Sequence, residues 1–202
     1  MKIGLFGGSF DPVHRGHVEA AAAARRALGL DRVELVVTGR PPHKEGPRSA
    51  PALARYVMAE LAVLDHPDLA VSVVELDETR KSYTIDTLEL RRRELPDAEI
   101  WWILGADAFA ELHTWRRFRA ILASFPVAVL ARPGFDRREL LAGLDAELAR
   151  LVSGSRVEWV ENPLVDASST RLREVLASGG RPPEDRLDPR VLRFVEKYRL
   201  YR

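Results

Sequence analysis

Lys2-Ile3-Gly4-Leu5-Phe6-Gly7-Gly8-Ser9-Phe10-Asp11-Pro12-Val13-His14-Arg15-Gly16-His17 is the stretch from which the fold can be read. Residues 2–6 are mostly apolar at odd and even positions alike, the pattern of a strand buried on both faces of a parallel sheet. The glycines turn the chain, and a helix then runs to Leu28, where Gly29 stops it. A strand, a glycine turn and a helix start together make an anion site. Backbone N–H groups point outward, the helix dipole favours negative charge, and phosphate is the natural guest. Gly7-Gly8 alone also has a purely steric explanation, and the spacing is neither the Gly-x-Gly-x-x-Gly of dinucleotide sites nor a Gly-Lys-Ser/Thr loop. His14-x-Gly16-His17 adds chemistry: two imidazoles three residues apart share one side of a helical turn, Gly16 leaves room for a ligand, and both rings can donate to phosphate oxygens. Zinc on these histidines with Asp11 or His43 is the weaker alternative, because no convincing ligand set accompanies them.

Further strands are predicted at residues 32–37, 70–76, 99–104, 126–131 and 157–160. Between them lie helical repeats: Leu53, Val57, Leu61 and Leu64 recur at three and four residues, as do Leu140, Leu144, Leu148 and Leu151, and both stripes are expected to face a core. Asp188-Pro189 reads as an N-cap and first helical residue, with Val191, Leu192, Val195 and Tyr198 lining one face of a last helix, while Gly179-Gly180 ends the helix before it. Strands alternating with helices imply right-handed βαβ units and a doubly wound, mostly parallel sheet with helices on both faces. Residues 38–50, 77–83, 162–167 and 179–187 are loops, and loops at strand C-termini build the site of such a sheet.

Composition narrows the class further. With 202 residues, 46% hydrophobic and 30% charged, the chain can bury a substantial core. Thirteen Gly and 13 Pro without a repeat period exclude collagen-like and solenoid architectures. The absence of Cys excludes disulfides, thiolate metal sites and a Cys nucleophile, and fits a reducing cytoplasm. The longest uncharged run, residues 120–131, is interrupted by Pro126 and falls short of the about 20 residues a membrane helix needs. No targeting signal opens the chain, so a soluble cytoplasmic protein without a membrane partner is expected. A net charge of +1 gives no broad field for nucleic acid, so any polyanion must be held locally. Arg outnumbers Lys by 27 to 4, which we read as a codon or surface effect.

Gly-Gly-Ser-Phe-Asp-Pro-x-His-x-Gly-His, at residues 7–17, resembles the phosphate loop of the HxGH nucleotidyltransferase superfamily. Five further features resemble the bacterial nicotinate mononucleotide adenylyltransferases within it. Pro41-Pro42-His43-Lys44 is a Pro-stiffened loop that aims His43 and Lys44 at a ligand at low entropy cost. Ser82-Tyr83-Thr84-Ile85-Asp86-Thr87 opens a helix with Thr84 as expected N-cap; in the family that helix start receives the nicotinate carboxylate. Gly105-Ala106-Asp107 follows a strand, and Trp115 lies where the family stacks a Trp on the pyridine ring. Trp101 and Trp102, on opposite faces of that strand, read as packing residues. Ala167-Ser168-Ser169-Thr170-Arg171-Leu172-Arg173 is close to Ile-Ser-Ser-Thr-x-Ile-Arg and reads as a second phosphate-binding helix start. Ala167 replaces the usual Ile, and Val37 stands where Pro is common.

The resemblance implies one nucleotidyltransferase domain over residues 1–202 of Rossmann-like fold, with a helical segment at about 168–202 packed on it. It implies transfer of AMP from ATP to nicotinate mononucleotide, in NAD biosynthesis. His14, His17, Lys44 and Arg173 are then the catalytic set. Gly7, Gly8, Ser9, Phe10, Gly16, Gly105, Asp107, Arg132, Ser168, Ser169 and Thr170 bind ATP, and Ser9, His43, Lys44, Tyr83, Thr84 and Trp115 bind the mononucleotide. Mg²⁺ is expected on the ATP phosphates without a protein cage, and nucleic acid is not an expected partner. Nicotinamide mononucleotide or phosphopantetheine as acceptor, and a nucleotide-sensing regulator without turnover, remain the alternatives.

Overall fold

The computed structural model describes residues 1–39, 49–79, 81–131, 136–161, 165 and 167–202. Among these, six strands form one sheet: β1 (Lys2–Gly8), β2 (Arg32–Val37), β3 (Leu69–Ser72), β4 (Glu99–Gly105), β5 (Val127–Ala131) and β6 (Val157–Glu161). Every neighbouring pair is parallel, in the order β3-β2-β1-β4-β5-β6. The chain builds outward in one direction from β1, then returns and builds the other way from β4. The crevice beyond the C-terminal ends of β1 and β4 is therefore the switch point at which doubly wound sheets bind ligands.

Helices cover both faces: α1 (Arg15–Leu28), α2 (Ala52–Val63), α3 (Thr84–Glu94), α4 (Ala106–Ala110), α5 (Phe118–Ser124), α6 (Arg137–Ala142), α7 (Ala146–Val152), α8 (Ser169–Ala177) and α9 (Pro189–Tyr198). Two cores result, because side chains alternate across each strand. Phe6, Val33, Leu35, Trp101 and Ile103 meet residues of α1, α2, α8 and α9 on one face. Ile3, Leu5, Ile100, Trp102 and Leu104 meet residues of α3, α4, α5 and α7 on the other. Trp101 and Trp102 thus fill opposite cores, as packing residues do.

The cap chemistry follows the sequence at several ends. Gly29 closes α1 in the left-handed region (φ 59°), and Asp188 accepts the Arg190 amide with Pro189 at the first position of α9. Four expectations need correction. The stripe through α2 only partly faces the core: Leu61 packs against it, but Leu53 and Leu64 are each 67% exposed, while Ala52, Arg55, Met58, Ala59 and Ala62 are buried. That helix is apolar around most of its circumference, so periodicity could not choose its inner face. The stripe at residues 140–151 does pack on the second core, but from two short helices separated around Gly143. β3 ends at Ser72, where residues 73–76 turn, with the Leu76 amide bonded to the Val73 carbonyl. Tyr198 is exposed and leans on Phe194, with ring centroids 4.7 Å apart.

Candidate active site

The loop leaving β1 is held by aromatic packing. A Cβ on Gly7 would lie 2.4 Å from the Trp102 indole, and one on Gly8 would lie 2.9 Å from the Phe10 ring. The steric explanation of this glycine pair is therefore satisfied whether or not phosphate binds. Phe10 takes a positive φ of 48° and is buried, edge-on to both Phe6 and His17. The Asp11–Pro12 peptide is cis.

His14 is the N-cap of α1, and its ring stacks on His17 with centroids 3.7 Å apart. The His14 backbone N–H donates to His17 Nδ1 at 3.3 Å. The room expected at Gly16 is bounded by the His14 ring, 3.1 Å from where a Cβ would stand.

α8 brings the second helix start onto this loop. Ser169 Oγ donates to the Pro12 carbonyl (3.0 Å), and Arg173 Nη1 donates to the Asp11 carbonyl (2.6 Å). The Arg173 fork also reaches Thr170 Oγ1 at 3.3 Å. Ser168 is the N-cap of α8 without a side-chain cap bond. The starts of α1 and α8, more than 150 residues apart in sequence, thus share one loop.

On the other side of the crevice Gly105 precedes α4, and Asp107 is exposed on its first turn. Trp115 is half-buried, edge-on to Trp102 at 6.5 Å, and Trp102 in turn covers Gly7. This chain of contacts brings Trp115 to the end of β1. Tyr83, not Thr84, is the N-cap of α3: its carbonyl accepts the amides of Asp86 and Thr87. Arg116, the chain neighbour of Trp115, lies over the Tyr83 ring at 4.5 Å and 3.7 Å from Asp86. Ser9 sits on the first loop, whereas His43, Lys44 and Arg132 lie outside the described residues.

Sequence reasoning missed the buried polar groups behind the loop. Asp11 is 5% exposed, and its carboxylate accepts Ser49 Oγ (2.7 Å), the Ala50 amide (3.1 Å) and the Tyr201 hydroxyl (2.7 Å). Burial and the Asp11 charge push the Tyr201 phenol up from its ordinary pKa. Arg55, on the inner face of α2, is 2% exposed and donates to four backbone carbonyls. Burial lowers its pKa, opposed by the Asp11 charge. Glu75 is buried, accepts the Thr87 hydroxyl at 2.6 Å, and burial raises its pKa against the hydrogen bonds from Thr87 and Thr38. The only sequence signal for Arg55 was a charge among the small residues of α2's inner face, and the leucine stripe masked it.

The donor set suits phosphate better than a caged metal. Both Asp11 oxygens are occupied by protein donors, and the described residues contain no group of three His, Cys, Asp or Glu able to hold an ion. Among the described residues no helix is long and apolar enough to cross a membrane.

Comparison with known proteins agrees with this geometry. Residues 5–175 match the cytidylyltransferase-like family. A Laribacter hongkongensis protein named "probable nicotinate-nucleotide adenylyltransferase" is 41% identical over 211 residues, covering 100% of this chain and 95% of its own. A Neisseria gonorrhoeae protein of the same name is 36% identical over 200 residues, covering 99% and 98%. Among solved structures, Plasmodium falciparum nicotinic acid mononucleotide adenylyltransferase complexed with NaAD superposes with a TM-score of 0.79 over 99% of this chain and 97% of that one; at 16% identity this likeness speaks to the fold. With β1 and β4 forming the switch point, two helix starts on one phosphate-type loop and full-length relatives above 30% identity, the chain belongs to the cytidylyltransferase-like family and, within it, to the nicotinate-nucleotide adenylyltransferases.

Proposed function

We infer that the protein transfers AMP from ATP to nicotinate mononucleotide, giving nicotinic acid adenine dinucleotide and pyrophosphate, and does so in the cytoplasm. The meeting of the α1 and α8 starts on residues 11–14 carries this reading. The start of α8, the two imidazoles and Arg173 are then gathered on this one loop, a donor set that suits a triphosphate. The 5′-phosphate oxygen of the mononucleotide attacks the α-phosphorus in line. The bond from that phosphorus to the bridging oxygen breaks, and pyrophosphate leaves with the electron pair. The attacking oxygen is already anionic, so the protein's part is alignment and charge stabilisation, with no protein nucleophile.

In this scheme His14 and His17 donate to the α- and β-phosphates, and Arg173 and Lys44 meet the triphosphate. Ser168, Ser169 and Thr170 offer hydroxyls to its oxygens. Gly7, Gly8, Ser9 and Gly16 contribute backbone, and Gly105, Asp107 and Arg132 complete the nucleotide side. Trp115, Tyr83, Thr84 and His43 receive the mononucleotide, its pyridine ring against Trp115. Mg²⁺ carried on ATP would screen the phosphate charge.

Incubation with ATP, Mg²⁺ and, separately, nicotinate mononucleotide, nicotinamide mononucleotide and phosphopantetheine, with pyrophosphate release as readout, tests the reading. The highest kcat/KM is expected with nicotinate mononucleotide. A higher value with another acceptor overturns the substrate, and no release with any acceptor favours a nucleotide sensor.

A further inference from the structure

The guanidinium of Arg55 reaches two loops at once. Nη1 donates to Ser9 O (2.8 Å) on the β1 loop and to Thr38 O (2.7 Å), Nη2 to Gly39 O (2.8 Å), and Nε to Ala50 O (2.9 Å). Thr38, Gly39 and Ala50 flank residues 40–48 on either side, so one planar, rigid fork sets the distance between the phosphate loop and both ends of the loop after β2. The neighbouring contacts reinforce the arrangement. Asp11, on the β1 loop, binds Ser49 and Ala50 through its carboxylate. Gly39 packs so closely on the Glu75 carbonyl that a Cβ would lie 2.2 Å from it, so a side chain there would displace the base of the loop.

We propose that Arg55 is a positioning residue for adenylyl transfer: it holds the β1 loop and the base of the β2 loop in the one relation that aligns the attacking phosphate with the α-phosphorus. This rests on the function inferred above. Arg55 itself is buried behind the loops and touches no substrate. Its effect therefore falls on kcat, because each substrate's own contacts persist while their mutual alignment is lost. A misplacement on the order of 1 Å costs about 100-fold in rate.

The test is Arg55→Lys, which keeps the charge and the aliphatic stem but puts three donors on one nitrogen in place of the fork. A cooperative thermal transition well above assay temperature, KM for ATP within about threefold of wild type and kcat per folded molecule down about 100-fold are expected. A lowered Tm with kcat per folded molecule unchanged would mean a stabilising role only and overturns the proposal. Should Arg55→Lys fail to fold, Gly39→Ala moves the same loop base by collision with Glu75 and is expected to show the same kcat-selective loss; an unchanged kcat overturns the proposal there too. Amide hydrogen exchange gives a readout free of substrate. Thr38 donates to Gly8 O and Ala50 to Asp11, and both amides are expected to exchange faster in the variants with helix amides unchanged. If the wild type releases no pyrophosphate from ATP and nicotinate mononucleotide, the functional reading falls. Exchange then still decides on Arg55, unchanged protection at Thr38 and Ala50 overturning its part.

Discussion

The imidazoles of His14 and His17 lie face to face, their centroids 3.7 Å apart and their planes inclined by 25°, and His17 accepts the His14 backbone N–H on Nδ1. An imidazole that accepts on Nδ1 carries its neutral-state proton on Nε2, so the helix cap itself selects a tautomer whose donor is the distal nitrogen. His17→Ala is expected to lower kcat by about 10²- to 10³-fold, the cost typical of removing one preorganised donor to developing charge. Circular dichroism should report a retained fold, and kcat within tenfold of wild type in that folded variant would remove His17 from the phosphate site.

Trp115 reaches the crevice edge-on to Trp102. If a pyridine ring stacks there, Trp115→Ala removes about 1–3 kcal/mol of stacking, the range measured for bases on aromatic side chains, and KM for the mononucleotide rises about 10-fold with KM for ATP unchanged. Steady-state kinetics with each substrate varied in turn decides it, and equal changes in both KM values would argue for a disturbed core instead.

Arg116 stands at an electrostatically awkward place, a cation over the N-cap residue of α3 where the helix dipole already favours anions. Asp86 at 3.7 Å is a long partner, and both side chains are 53% exposed. A carboxylate on the pyridine would pair with this cation by charge as well as by hydrogen bond, whereas an amide carbonyl would accept only the weaker hydrogen bond. At that exposure the interaction is worth about 0.2–1 kcal/mol, so Arg116→Gln should narrow the acid-over-amide ratio of kcat/KM about 1.4- to fivefold. An unchanged ratio would confine Arg116 to the protein surface.

Glu75 supplies a pH signature of stability. Burial raises its folded-state pKa above the ordinary value near 4.5. Below that value both states are protonated and burial costs nothing. As pH rises through it the unfolded chain ionises first, and stability falls until the folded carboxyl has ionised as well. Glu75→Gln keeps an acceptor for Thr87 but removes the titration, so the Tm of the variant relative to wild type should increase from pH 4 to pH 7. A difference that does not vary with pH would show that Glu75 ionises as easily folded as unfolded.

The α/β class, all six strands and the strand-to-helix loop at residues 7–17 were legible because each rests on local chemistry: apolar runs, glycine turns and caps. Where local chemistry was ambiguous the reading failed, as in α2, whose leucines and alanines offered two apolar faces, and at α3, where Thr84 resembled a cap but Tyr83 took the extended backbone of one. The sequence by itself determined which residue types are available for the proposed phosphate site and the order in which they occur. Only the tertiary structure decided what holds them together: Arg173 on the Asp11 carbonyl, Tyr201 on the Asp11 carboxylate across 190 residues, and Arg55 across two loops. Each of these bonds joins segments far apart in the chain, and buried polar groups take whichever partner the packed sheet sets within reach, a choice that no local pattern encodes.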